Sequence, residues 1–253
     1  TWLGYPNTTG LKSMDYRIVD EFTDPKGLND HLYTEKLLRV EGSFLCFSSG
    51  EDAIVDQSSI FEDEIFTFGS FNNLSKMSDE VLECWSEILK NNNKTRIILK
   101  NKQLSSNFMR NMYLEKFSKR GVPIEKIILL SWSNSRKQHL ETYNTIDLAL
   151  DTFPYNGTTT TFEALWMEVP VLCLKGDNHS SRVGYSILEN LDCKDFIVSS
   201  KNDYIKKALY FSKNKIPLQN LNKGLRKKLI NSDLCNAKKF TKKFENLFKK
   251  LID

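Results

Sequence analysis

The sequence predicts an α/β fold, a doubly wound and mainly parallel Rossmann-like sheet, on three observations. From residue 65 onward, short apolar segments of strand length alternate with amphipathic segments of helical length. Turn-forming Gly, Pro and Asn separate these segments, and 253 residues provide ample material for a core. Strands that alternate with helices pair in parallel, and right-handed crossovers then bring the carboxyl ends of the strands to one rim.

The N-terminal part of the chain has a less regular pattern. We expect the end of a strand and a turn at residues 1–10, strands at residues 15–20 and 43–47, and a helix at residues 29–38. Residues 51–64 are acidic and without a clear period, which predicts a loop and a domain boundary. The predicted division is therefore 1–62 as the end of a first lobe, 63–235 as a complete Rossmann-like lobe, and 236–253 as a C-terminal helix.

The regular pattern predicts the elements of that second lobe in order. The strands are residues 65–69, 95–100, 126–131, 147–151, a segment ending at 174, and 195–198. Helices are predicted at residues 78–90, 105–119, 136–143, 202–211, 218–230 and 237–251. Two more helices are expected, one that begins with the threonine run 158–161 and one that begins in the loop 175–182. Ser78 is the expected N-cap of the first of these helices.

Four consecutive threonines are the first candidate for a binding site. Pro154, Asn156 and Gly157 end the strand at 147–151, and Thr158–Thr161 then open an apolar-periodic run. Threonine favours caps over helix interiors, so the run predicts a helix N-terminus, where backbone N–H groups and hydroxyls suit a phosphate. The alternative is a capped helix without a ligand.

Three further loops follow predicted strands and are expected at the same rim, which is where open α/β sheets bind ligands. They are residues 69–76, 131–139 and 175–182. In the first, Lys76 can place an ammonium near the threonine helix, and Asn73 can bond a ligand or cap its own turn. In the second, the His139 ring can stack on a nucleobase, although a lone histidine is often structural.

Three more charged side chains belong to these loops or to the threonine helix. Glu163 lies one turn into that helix and is expected to accept hydrogen bonds from a ribose or to interact with the helix dipole. His179 and Arg182 begin the next helix and can add charge at the rim. Their alternative interpretation, as solvent-exposed cap residues, stays open on sequence alone.

Missing motifs narrow the chemistry. No D-x-D pair is present to hold a divalent ion beside a diphosphate, so no metal is expected, and no cofactor motif of the P-loop or G-x-G-x-x-G type occurs. The five cysteines form no C-x-x-C pair, which favours a reducing, cytoplasmic compartment. No apolar run approaches the ~20 residues of a membrane helix, and no membrane partner is expected.

The charge is uneven along the chain. Residues 201–253 contain 15 Lys and Arg against 4 Asp and Glu, a net charge of +11, so the remainder carries −7 of the total +4. A nucleic-acid-binding tail is one interpretation. We favour a solvated face of lysine-rich helices, because the aromatic interleaving of RNA-binding segments is missing.

Several motifs taken together resemble a known family. The segments W-L-G-Y-P-N-T-T-G, M-D-Y-R-I-V-D, F-G-S-F-N-N-L-S-K, D-T-F-P-Y-N-G-T-T-T-T-F-E-A-L-W and H-S-S-R-V-G occur in this order from Trp2 to beyond Arg182. They resemble the C-terminal part of the catalytic region of the SPINDLY and O-GlcNAc transferase family. The resemblance implies the C-terminal lobe of a two-lobed, GT-B glycosyltransferase with a remnant of the N-terminal lobe, which moves a sugar to protein Ser or Thr with inversion.

The resemblance also implies roles for individual residues. The family's phosphate-contacting lysine corresponds to Lys76, a neighbouring glutamine to Asn73, the base-stacking histidine to His139, and base and ribose contacts to Asn134, Ser135 and Arg136. The family's H-T-T corresponds to Thr158, Thr159 and Thr160 after Gly157, and its ribose-binding aspartate to Glu163. Asn73 and Thr158 depart from O-GlcNAc transferases toward the SPINDLY pattern, so the donor, UDP-GlcNAc or GDP-fucose, stays open.

The expected function follows from that resemblance and from the length of the chain. Family members carry tetratricopeptide repeats and most of a first lobe upstream, and no 34-residue repeat occurs here. We therefore expect the donor-binding half of a transferase, with the general base in the upstream part and an acceptor protein as partner. The alternatives are a non-catalytic nucleotide-binding module or inactive fragment and, less favoured, a nucleic-acid-binding basic domain.

Overall fold

Two parallel sheets form the framework of the protein. A computed structural model describes residues 1–50, 53–56 and 64–252. The first sheet pairs two strands, β1 (Tyr16–Asp20) and β2 (Lys36–Val40). The second has six parallel strands in the order β5-β4-β3-β6-β7-β8. These are β3 (Phe66–Ser70), β4 (Thr95–Lys100), β5 (Ile127–Leu130), β6 (Leu148–Leu150), β7 (Val171–Leu174) and β8 (Ile197–Val198).

Helices lie between and after the strands of the larger sheet, which confirms the predicted α/β fold. They are α1 (Asp79–Lys90), α2 (Asn107–Ser118), α3 (Arg136–Glu141), α4 (Thr159–Trp166), α5 (Val183–Asn190), α6 (Lys201–Lys213), α7 (Lys215–Asn222), α8 (Leu225–Ile230) and α9 (Ala237–Ile252). In the described residues no helix is both long enough and apolar enough to cross a membrane.

The strand order turns at the centre of the larger sheet. From β3 the chain proceeds outward through β4 to β5, and it then returns to add β6, β7 and β8 on the other side. Because β3 and β6 pair directly, the loops that follow them diverge from neighbouring strand ends. Such a switch point leaves a crevice at the carboxyl ends of the strands, and open α/β sheets bind ligands there.

Helix α1 shows how the sequence pattern becomes core. Ser78 caps it as predicted, since the Val81 N–H donates to the Ser78 hydroxyl at 3.3 Å. Its apolar stripe is buried, and Trp85 is fully buried with its indole N–H donating to the Tyr204 hydroxyl at 3.3 Å. All five residues of β3 are buried too, which a parallel strand covered on both faces requires.

The prediction of a helix at residues 29–38 is wrong. Only Asp30–Leu32 forms a short 3₁₀ turn, and residues 36–40 form strand β2. Strand β2 pairs in parallel with β1, which lies some 20 positions earlier, from Tyr16 opposite Lys36 to Asp20 opposite Val40. The apolar spacing of this segment fits a helix, but pairing with a distant strand decides its conformation.

Three other local predictions also differ from the structure. Residues 43–47 form no strand; Phe44 and Leu45 are buried in an irregular segment, and the Phe47 N–H donates to the Leu234 carbonyl at 2.7 Å. Residues 1–10 contain no strand either. The helix predicted at 218–230 is two helices, α7 and α8, because Gly224 between them adopts φ +83°, outside helical values.

The C-terminal helix packs against the N-terminus of the chain. The Trp2 ring lies 5.7 Å from Phe240 and 4.7 Å from Phe244, both on α9. Most of the lysines of α9 face solvent, as we expected for the basic tail. The boundary predicted between residues 62 and 63, and most of the loop predicted at 51–64, lie outside the described residues, and the division into lobes stays a prediction.

Candidate functional site

The four loops expected at one rim do meet there. The Lys76 ammonium, after β3, donates to the Asn156 carbonyl at 2.8 Å, in the loop after β6. The Asn156 N–H in turn donates to the Ser180 carbonyl at 2.9 Å, in the loop after β7. His139, after β5, contacts Glu163 of α4 at 3.1 Å. The predicted rim is therefore confirmed.

The threonine run forms the N-terminus of helix α4, as predicted. The Thr158 side chain does not cap the helix, and Thr159 is exposed. The Thr160 hydroxyl donates to the buried amide oxygen of Asn72 at 2.9 Å. A Cβ on Gly157 would lie 2.5 Å from that hydroxyl and 2.9 Å from the Asn72 oxygen, so only glycine fits this close approach.

Lys76 faces this helix end from the neighbouring loop. Its ammonium lies 3.9 Å from the centre of the Tyr155 ring, which leaves it half-buried beside the carbonyl of Asn156. Burial lowers the pKa of Lys76, and the charge of Asp151 acts in the opposite direction. A partly desolvated cation beside the first turn of a helix is suited to a phosphate.

A cavity of about 380 Å³ adjoins helix α4 at Glu163. Its lining comes from the loop after β5, from helix α3 and from one residue of α4: Trp132, Ser133, Asn134, Ser135, Arg136, His139 and Glu163. Except for Trp132 and Ser133, these are the residues predicted to contact a base and a ribose. Trp132 is 75% exposed, an unusual position for a tryptophan, and the sequence alone does not indicate a role for it.

Glu163 is held at the floor of this cavity by two side chains. Its carboxylate is nearly buried, 3.1 Å from His139 Nε2 and 3.4 Å from Arg136 Nη1. Arg136 also donates through Nε to the Ser49 carbonyl at 3.0 Å. The three residues predicted to bind a nucleoside thus form one connected group, and Glu163 fixes the other two.

Lys100 completes this group, although the sequence analysis did not single it out. It ends strand β4, and its buried ammonium lies 2.6 Å from Ser133 Oγ, 3.0 Å from His139 Nδ1 and 3.1 Å from Thr142 Oγ1. An ammonium only donates, so His139 Nδ1 accepts, and the ring proton is assigned to Nε2, from where it donates to Glu163. Lys100 therefore sets the orientation of the His139 ring.

The free energy of unfolding should depend on pH in a way that shows the burial of the Lys100 ammonium. Burial lowers its pKa to about 8, with the charge of Glu163 opposing the shift, whereas an unfolded lysine titrates near 10.4. Between these values the unfolded chain holds one more proton, so this lysine makes stability rise with pH from about 8 to 10. Urea unfolding should show wild type gaining stability relative to Lys100→Met over that range. The exposed Lys206→Met is the matched control, and a difference between wild type and Lys100→Met that stays constant with pH would contradict the burial argument.

Three predicted residues take positions that sequence alone left open. Asn73 uses its side-chain oxygen to accept from the Ser75 N–H at 3.1 Å and so caps its own turn. His179 and Arg182 are buried, which makes their interpretation as solvent-exposed caps wrong. The backbone explains this, because residues 20–24 of the N-terminal part cover them, and Arg182 Nε donates to the Phe22 carbonyl at 2.7 Å.

His179 and Tyr155 both line a second, larger cavity. This cavity of about 610 Å³ lies between the N-terminal part and the rim, with the lining Gly4, Tyr5, Pro6, Asn7, Thr8, Asn29, Leu32, Tyr33, Tyr155, Asn178, His179 and Ser180. The first motif of the sequence, G-Y-P-N-T, thus contributes one wall. Tyr155, whose ring centre lies 3.9 Å from the Lys76 ammonium, lines the second cavity, and Glu163 of α4 lines the first.

In the part of the chain that the structure describes, no three His, Cys, Asp or Glu side chains converge as a metal ion would require. The independence from metal stays a prediction. Lys76 and the start of α4 are the groups that would face a diphosphate.

Comparison with known proteins gives one family. Residues 51–244 match the family described as Glycosyl transferase family 41. A probable UDP-N-acetylglucosamine–peptide N-acetylglucosaminyltransferase SPINDLY of Solanum lycopersicum is 35% identical over 252 residues, 99% of this chain and 27% of that protein. The counterpart of Oryza sativa subsp. japonica is 36% identical over the same shares. The chain therefore spans about a quarter of the length of these relatives.

Solved structures agree on the fold. A mutant of the Thermobaculum terrenum O-GlcNAc transferase superimposes with a TM-score of 0.89 at 34% identity, over 99% of this chain and 47% of that one. Sucrose-phosphate synthase of Thermosynechococcus elongatus has a TM-score of 0.64 at 9% identity, over 94% of this chain and 58% of that one. The second likeness concerns the fold alone, which is that of GT-B glycosyltransferases.

Proposed function

The chain belongs to glycosyl transferase family 41, and on that premise we propose that it is the donor-binding half of an inverting glycosyltransferase that moves GlcNAc or fucose from a nucleotide to protein Ser or Thr. The observation that carries the proposal is the position of Lys76. Its ammonium donates to the Asn156 carbonyl, just before the start of helix α4. Glu163 of that helix lines the cavity of about 380 Å³, and Tyr155, whose ring centre lies 3.9 Å from the ammonium, lines the cavity of about 610 Å³. This is the order in which a base, a diphosphate and a sugar occur in the donor.

Each part of the donor then has a place. The base and ribose occupy the smaller cavity, between the exposed Trp132 and the His139 ring, with Asn134, Ser135 and Arg136 along its edge. The diphosphate lies against Thr158–Thr160 and Lys76. The sugar extends past Tyr155 toward the larger cavity, where the acceptor protein enters. The upstream lobe and repeats of the longer relatives are partners in this arrangement.

The reaction follows from these positions. The acceptor hydroxyl oxygen forms a bond to the anomeric carbon as the bond from that carbon to the β-phosphate oxygen breaks, and the hydroxyl proton passes to a base. The nucleoside diphosphate leaves with one more negative charge on its terminal phosphate. Lys76 and the N–H groups at the start of α4 stabilise that charge without a metal ion, which is the main contribution of this half.

Thermal-shift titration with UDP, GDP, UDP-GlcNAc and GDP-fucose tests the proposal and selects the donor. A nucleotide at about 100 times its dissociation constant stabilises the folded state by about 2.7 kcal/mol, which raises the melting temperature by roughly 5–10 °C. We expect such a shift either with UDP and UDP-GlcNAc or with GDP and GDP-fucose, and none with ADP. Absence of a shift with all four nucleotides would contradict the donor site.

A further inference from the structure

A buried carboxylate lies directly beneath the proposed diphosphate site. Asp151 directly follows strand β6 and is 1% exposed. Its Oδ1 accepts three hydrogen bonds, from the N–H of Gly157 at 2.7 Å, the N–H of Thr152 at 2.9 Å and the amide of Asn72 at 3.3 Å. Since Asn72 also accepts from Thr160, this one oxygen ties together the loops after β3 and β6.

The second oxygen of the same carboxylate is in a different environment. Within the described residues, no N–H or O–H group donates to Oδ2, and the Cys173 thiol is its polar neighbour. It faces Gly184, where a Cβ would lie 2.7 Å from Oδ2 and equally close to Cys173 Sγ. A proton can therefore reside on Oδ2 while Oδ1 keeps all three of its hydrogen bonds.

The groups around Asp151 leave its charge only partly compensated. Lys76 faces it from the turn after β3, the Cys173 thiol from β7, and the Tyr204 hydroxyl from α6, which donates to the Asp151 carbonyl at 2.9 Å. Burial raises the pKa of Asp151 to about 7, although the Gly157 hydrogen bond and the Lys76 charge act against it. The carboxyl is thus near its midpoint at neutral pH.

We propose that Asp151 is a positioning residue of the phosphate loop and that it takes up a proton when a nucleotide sugar binds. The inference rests on the proposed function, since it needs a diphosphate beside Lys76. The diphosphate neutralises the cation that favours ionised Asp151 and adds negative charge nearby. Both effects favour the protonated carboxyl, so one proton moves from solvent to Oδ2 and the loop keeps its shape.

The sign of the pH dependence follows. A group whose pKa rises on binding strengthens the complex at low pH, and that contribution is lost as pH rises through the pKa of the bound state. If binding raises the pKa of Asp151 by about one unit, the chain takes up about half a proton at pH 7.5. The dissociation constant of the nucleotide sugar then rises up to about tenfold between pH 6 and pH 9.

Isothermal titration calorimetry of this chain with UDP-GlcNAc and with GDP-fucose measures the proton directly. The observed enthalpy at pH 7.5, plotted against the ionisation enthalpy of several buffers, has a slope equal to the protons taken up. The diphosphate of a nucleotide sugar does not titrate near neutrality, so the proton belongs to the protein. We expect a slope of about 0.5 in wild type.

Two variants assign that proton. Asp151→Asn keeps an oxygen that accepts from Gly157 and Thr152 but has no titrating group, so the slope should fall to near zero. Asp147→Asn, a buried carboxylate just before the same strand that accepts from the Thr67 N–H at 2.7 Å, is the matched control and should keep the wild-type slope. A slope that persists in Asp151→Asn overturns the proposal.

Wild type alone also tests the proposal if Asp151→Asn does not fold. Difference infrared spectra should show the C=O band of a protonated carboxylic acid appearing on donor binding, and its absence together with a flat pH dependence of affinity overturns the inference. Binding without proton uptake would leave the proposed function supported. Failure of both nucleotide sugars to bind would instead refute the proposed function itself.

Discussion

Replacing Lys76 with methionine is expected to lower sugar transfer about 10²–10³-fold, the loss seen when an enzyme is deprived of one preorganised donor to a developing anion. Lys76 is the ammonium beside the start of α4, and its half-buried position strengthens its interaction with a phosphate. Turnover is to be measured in a form of the protein with transferase activity. For this chain alone, the dissociation constant of the nucleotide should rise about 10- to 100-fold, the equivalent of one charged hydrogen bond.

Lys175→Met is the matched control for this experiment. Lys175 follows β7 on the same rim and lies 4.6 Å from the Tyr185 ring centre, as Lys76 lies 3.9 Å from that of Tyr155. Its loss therefore removes the same charge and the same kind of ring contact, and affinity should change less than about twofold. If both variants keep turnover and affinity near those of wild type, Lys76 is not the diphosphate ligand.

The larger sheet and its helices could be predicted because the sequence patterns that indicate them lie within each element. Strand β4 matches the predicted bounds at both ends, since T-R-I-I-L-K is a short apolar run between turn formers. Helix α1 was equally clear from its cap and its stripe. By contrast, β2 exists only because β1 is beside it, and Gly224 divides a continuous apolar pattern through one backbone angle.

The sequence predicted those residues of the site that come several positions after a strand. It did not predict the residues at the strand ends themselves. Lys76, His139 and the threonine run follow strands, so the parallel order alone brings them to one rim. Lys100 ends strand β4 and Asp151 directly follows strand β6, and a charged residue next to a buried apolar run was the available signal. Their roles needed the strand order, because only the pairing of β3 with β6 places Asp151 beside Asn72. No local pattern contains that order.

Removing the Asp24 carboxylate is expected to lower the free energy of unfolding by about 3–5 kcal/mol, because it breaks a buried pair and leaves His179 without its partner. Asp24 Oδ2 lies 2.6 Å from His179 Nδ1, with side-chain exposures of 0% and 4%, and Tyr33 donates to Oδ1 at 2.9 Å. The pair joins the N-terminal part of the chain to the loop after β7. Urea unfolding of Asp24→Ala measures the cost, and a loss below about 1 kcal/mol would show that the pair does not anchor the two parts.

Asp30→Ala is the surface counterpart, since Asp30 is 43% exposed and lies 2.8 Å from Arg39 in an ion pair worth about 0–1 kcal/mol. The stability that Asp24 contributes should also be lost in acid. Burial alone would raise the pKa of Asp24, but the hydrogen bond and charge of His179 outweigh it and hold that pKa below its ordinary value. The stability from Asp24 is therefore complete above about pH 4 and lost below it, so the free energies of unfolding of wild type and Asp24→Ala should converge as pH falls.

Because His179 lines the larger cavity and not the smaller one, Asp24→Ala should impair sugar transfer while leaving the affinity for the free nucleotide unchanged.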